Sequence, residues 1–103
     1  MKLNAYAIFD TASGTFMRPF FCQADAQAVR EFGNLAIAAD HPIGQHPEDY
    51  SVARLGTWDD NTGKFYPESI EYLVTGLEMV HRSRNVNRDQ LELITKEETQ
   101  CNQ

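Results

Sequence analysis

Alternating apolar positions open the chain. In residues 3–9, "LNAYAIF", Leu3, Ala5, Ala7 and Phe9 fall on one side of an extended strand, with Tyr6 and Ile8 on the other. The pattern predicts a strand whose small alanines lie beneath a helix. Residues 16–21, "FMRPFF", complete a first hairpin. Pro19 lacks a ladder donor, so this second strand is expected at an edge or with a bulge. The period then lengthens. Across residues 25–40, Ala28, Val29, Phe32, Leu35, Ala36 and Ala39 recur at helical spacing, while Gln27, Arg30, Glu31 and Asn34 take the opposite side. Asp25 is the expected N-cap, and Gly33 is an interior cost.

Residues 40–49, "DHPIGQHPED", read as a loop with two His-Pro pairs. Strands are expected over residues 50–58 and 64–67. Beyond them, Ile70, Leu73, Val74, Leu77 and Val80 suit a helix, whereas Gly76 and the β-branched residues suit a strand followed by a helical turn. The second reading, an extended start and a short helix from about Thr75 to Arg84, fits better. Residues 85–103 are polar, as in a flexible tail. The order ββαββ implies an α+β fold: a four-stranded, mostly antiparallel sheet with one amphipathic helix packed on one face, in a single domain over residues 1–84.

Two octets share one skeleton: "FDTASGTF" at residues 9–16 and "WDDNTGKF" at residues 58–65. A calcium loop needs ligands at alternate positions, a glycine at the sixth and a glutamate at the twelfth. Counting from Asp59 gives Lys64 and Ile70, and counting from Asp10 puts Ala12 third. Neither octet fits. An aspartate that accepts backbone N–H bonds, followed by a glycine at positive φ, describes a hairpin corner instead. His41 and His46 have Asp40, Glu48 and Asp49 nearby, but no third ligand is fixed by spacing, so no metal is expected.

The chain has 103 residues, a formal charge of −6 and a pI near 4.9. That weighs against a surface that coats a polyanion. Yet residues 81–88, "HRSRNVNR", hold Arg82, Arg84 and Arg88 without an acidic residue. Cys22 and Cys101 fit no metal or redox spacing, no apolar run approaches membrane-spanning length, and the start does not read as a secretory signal. A reduced cytosolic setting follows. The sequence holds no nucleophile elbow, phosphate-cradling glycine loop or zinc-deaminase motif, which points away from an enzyme and from any cofactor.

"MKLNAYAIFDTASGTFMRPFF", the helix opening at Asp25, and "HPEDYSVARLGTWDDNTGKF" resemble the small non-structural protein of gokushovirus-type microviruses, phages with single-stranded DNA genomes. The resemblance covers about residues 1–84, and its most specific element is Pro47-Glu48-Asp49-Tyr50. It implies a DNA-binding accessory of viral genome replication or packaging, made in the host bacterial cytoplasm and left out of the capsid. No catalytic residues come with it.

Single strands bind to aromatic platforms with cations nearby. Tyr6, Phe20, Trp58 and Phe65 are strand aromatics, with Arg18, Arg54 and Lys64 among them, and Arg82, Arg84 and Arg88 are candidate phosphate contacts. The competing expectation buries at least two of the four aromatics, pairs Arg18 and Arg54 with carboxylates across strands, and makes the open sheet face a homodimer interface. Such a module would act on a phage replication or assembly protein without touching DNA.

Overall fold

The computed structural model describes residues 1–85; Arg88 and, but for Asn85, the expected tail lie outside them. Strands β1 (Lys2–Asp10) and β4 (Tyr50–Asp59) form the middle of one antiparallel sheet, with Lys2 opposite Asp59 and Asp10 opposite Tyr50. β5 (Phe65–Thr75) pairs with the free side of β4. β2 (Thr15–Phe16) and β3 (Phe20–Cys22) share the other edge of β1. The sheet therefore has five strands where the pattern predicted four. The added break falls at Arg18-Pro19, where proline supplies no N–H to the ladder.

Helix α1 (Asp25–Ala36) packs on one face of the sheet. It ends earlier than the apolar pattern implied, at Ile37, whose N–H bonds to the Gly33 carbonyl. Asp25 is the first helical residue and not the cap. Ala24 holds the cap position and has no side-chain acceptor to offer, while the Asp25 carboxylate is engaged by Tyr6 and Arg54. The His-Pro segment is also more ordered than a loop. His41 Nδ1 accepts the Ile43 N–H at 3.1 Å and opens the short helix α2 (Pro42–Gln45), and a 3-10 turn spans Pro47–Asp49. Proline at the first helical position suits both turns.

β5 runs on to Thr75, and helix α3 occupies residues 76–85. The Thr75 hydroxyl accepts the Glu78 N–H at 3.1 Å, an ordinary side-chain cap. The expected strand-then-helix arrangement thus holds. At Gly33 the Met79 methyl lies against the helix: a Cβ there would be 2.5 Å from Met79 Cε, the movable end of that side chain.

The faces of β1 are reversed from the expectation. Tyr6 and Ile8, not the alanines, point under α1 and join Phe32, Ile43, Val52 and Val74 in the core. The helix contributes small residues at Ala28 and Ala36, so large side chains from the sheet fill the gap. Ala5, Ala7 and Ala53 are buried on the other face. Cys22 also lies in the core, its thiol pushed up in pKa by burial and then by the Glu31 carboxylate.

Tyr6 is fully buried with its hydroxyl donating to Asp25 Oδ1 at 2.7 Å. Arg54 donates to Asp25 Oδ2 at 3.0 Å and also bonds Glu71 on β5. Burial, followed by the Asp25 carboxylate, raises the tyrosine to about 12. An unfolded tyrosine titrates near pH 10. The stability tied to the neutral hydroxyl is thus complete below about pH 10 and disappears as pH rises towards 12. Tyr6→Phe is expected to cost about 1 kcal/mol near neutral pH and to flatten that alkaline decline. Urea midpoints measured from about pH 8 to about pH 11.5, which covers most of the shift, would check this; an unchanged decline in the variant would contradict the assignment.

Candidate functional site

The sheet face away from α1 holds the feature of most interest. Register puts Leu3, Ala5, Ala7 and Phe9 of β1 on this side, facing Trp58, Gly56, Ala53 and Ser51 of β4. Phe21 lies opposite Ala5, and Phe16 opposite Phe9. From β5 come Phe65, opposite Trp58, and Tyr72, opposite Ala53. Ile70 shares the face by alternation with Tyr72.

The rings gather in two clusters. Phe21, Trp58 and Phe65 meet at centroid distances of 5.0, 5.9 and 6.2 Å. Phe9 lies 4.8 Å from Phe16 and 6.0 Å from Tyr72. Between and beneath them runs a floor of Ala5, Ala7, Ala53 and Gly56. Gly56 sits at φ 155°, and a Cβ there would collide with the Tyr66 carbonyl across the bulge. The outer sides of several rings remain open: Phe65 is 58% exposed and Tyr72 55%.

The two octets explain the arrangement. Their first and last residues, Phe9 with Phe16 and Trp58 with Phe65, are direct cross-strand partners. Each corner is built alike. Asp10 accepts the Ala12 and Gly14 N–H groups, and Asp59 accepts those of Asn61 and Gly63. Gly14 and Gly63 take φ of 72° and 74°. β1 and β4 run antiparallel, so the two corners, and with them the two aromatic pairs, lie at opposite ends of the face.

The sequence candidates fall into separate groups. Trp58 is on the aromatic face, Lys64 adjoins Phe65 at one corner, and Arg18 is exposed in the link between β2 and β3. Tyr6 must be withdrawn as a ligand contact, and Arg54 is not on the aromatic face. Tyr6 is sealed under α1, and Arg54 lies on the helix side between Asp25 and Glu71. Those two partners and their charges raise the Arg54 pKa. Phe20, half-buried, stacks on Tyr6 at 5.7 Å and belongs to the core side. Arg82 and Arg84 sit on α3, in the helical layer; Arg82 lines a groove there with Arg30, Ile37 and Met79. Phe9, Phe16, Phe21 and Tyr72 were missed as face residues, although the aromatic ends of the octets signalled two of them.

His46, Glu48 and Asp49 bring their ligand atoms within 4.8 Å of one another, with His46 and Glu48 exposed. His41 is turned to its own helix start instead. Among the described residues no helix is long and apolar enough to cross a membrane.

No curated protein and no solved structure matches the chain. A family model does, over residues 3–79, a span that runs from β1 into α3 and takes in both aromatic corners. On that match the chain belongs to the phage ORF5 protein family.

Proposed function

We propose that this phage protein is a non-enzymatic, single-stranded-DNA-binding accessory of genome replication or packaging, of the gokushovirus type and acting in the host cytoplasm. The observation that carries the reading is the aromatic face that the elements among the described residues leave open. Exposed rings on a sheet accept unpaired bases by stacking, whatever the base, and the open face of a sheet is where such strands lie in common RNA-binding domains. Lys64 and Arg18 at its margins are the phosphate contacts in this reading. With so few cations, binding is dominated by stacking and carries a shallow salt dependence. Two neutralised phosphates correspond to a slope of about −1.4 in log K against log salt.

Trp58 is the single tryptophan of the chain, so its emission reports on the face directly. Titration with oligothymidylate at low salt should quench it saturably, and the affinity should fall gently as salt is raised. Charge reversal at Arg18 and Lys64 should weaken binding roughly tenfold and flatten the salt slope. An emission that stays constant, together with no saturable anisotropy change of a labelled strand, would sink the reading.

A further inference from the structure

We infer that a second copy of this chain is a natural occupant of the aromatic face, so that two molecules close face to face and cover each other's rings. Among the described residues, register puts no charged residue on this face: it places there Leu3, Ala5, Ala7 and Phe9 on β1, Ser51, Ala53, Gly56 and Trp58 on β4, and Phe16, Phe21, Phe65, Pro67, Tyr72 and Thr75 on the outer strands. The charged residues of these strands are turned the other way. Arg54 and Glu71 pair on the helix side, Glu68 acts on Arg54 there, and Lys2 lies over the Tyr66 ring. Two copies of an acidic chain can therefore meet here without burying a carboxylate, whereas the rest of the surface keeps them apart.

The patch also resembles itself. A two-fold contact needs one self-complementary surface. Here the repeated octets set similar aromatic pairs at both ends of an alanine floor, so the rings of one copy find rings or floor in the other. Size sets the strength. Phe16 at 39%, Phe21 at 36%, Ile70 at 50% and the more open Phe65 and Tyr72 leave roughly 500–600 Å² of apolar surface per copy. Doubled, that falls at the lower bound of specific interfaces, the region of weak and reversible association. Closure of this kind is reversible and opens on dilution.

The contact itself stands on the geometry of the face. Its regulatory meaning rests on the DNA reading, because a closed pair has no rings to offer a base. The two are separable by salt. Burial of apolar surface is unchanged or strengthened by salt, and phosphate contacts are weakened by it.

Sedimentation equilibrium of the full chain over about three decades of concentration, at low and high salt, tests the inference. A monomer–dimer equilibrium that persists at high salt is the expected result. Phe65→Ser with Tyr72→Ser, both exposed and so compatible with folding (checked by circular dichroism), should weaken it at least tenfold. Arg18→Glu with Lys64→Glu should leave it unchanged. A chain that stays monomeric throughout, or a dimer indifferent to the serine pair, overturns the inference. If the dimer forms but oligothymidylate never binds, the inference stands and the DNA reading fails. If the strand binds and no dimer forms, the reverse holds.

Discussion

Trp58→Ala combined with Phe65→Ala should lower the affinity for oligothymidylate by about 30-fold or more. Each ring stacked on a base contributes roughly 1–3 kcal/mol, and every 1.4 kcal/mol is a factor of ten. The two rings touch at a centroid distance of 6.2 Å, so they act as one platform and their separate losses should not simply add. The informative control is Arg54→Ala. Arg54 is a strand cation near the same residues in sequence, but its guanidinium is on the helix side between Asp25 and Glu71. Its removal should affect stability while leaving the affinity of the folded fraction almost unchanged. Anisotropy of a labelled strand with each variant decides the matter. A larger loss from Arg54→Ala than from the ring pair would move any site to the helix side of the sheet.

The other large effect concerns the opposite face. Phe32→Ala should destabilise the chain by about 3–5 kcal/mol, since truncating a fully buried phenylalanine removes its transfer free energy and leaves a cavity. Phe32 is among the largest fully buried side chains, packed with Tyr6, Ile43 and Val52. A domain of this size has only about 5–15 kcal/mol in all, so the urea midpoint should fall steeply. Phe65→Ala, on a ring that is more than half exposed, should cost well under half of the Phe32 value. Equal midpoints for the two would mean that the aromatic face is as much a core as the helix side.

Hairpins, helix and their order were legible in the sequence because each depends on local chemistry. The Asp-to-Gly corners, the 3.6-residue stripe of α1 and the polar breaks each announce themselves within about ten residues. What was not legible was the side of the sheet to which the helix goes. Alternation divides β1 into Leu3, Ala5, Ala7 and Phe9 against Tyr6 and Ile8, and nothing in that division says which set faces inward. The answer depends on partners far along the chain: Asp25 to receive the Tyr6 hydroxyl, and Ala28 and Ala36 to leave room for a large ring. The same distance hid the fate of Arg54. Its charge was plain, but its carboxylate partners come from α1 and β5.

The candidate site was half legible. Trp58 is on the aromatic face, Lys64 and Arg18 are exposed in links between strands, and Tyr6 is buried on the helix side. The repeated octets held more than was read from them. As turn signals they predicted two corners, but their aromatic ends also specify which rings meet across each hairpin. Tyr72 escaped because β5 extends through a segment whose composition also suits a helix, and only its pairing with Ala53 fixes the ring beside Phe9.

The duplicated corners share a skeleton but place their charges differently. Where the second octet carries Lys64, the first carries Thr15. The first also carries Thr11 where the second carries Asp60, whose carboxylate accepts from the Met1 amine at 2.7 Å, so the formal charges of the two corners match while a lysine stands beside the rings at one end alone. A partner with an inherent direction, laid from one end to the other, would meet that asymmetry of placement.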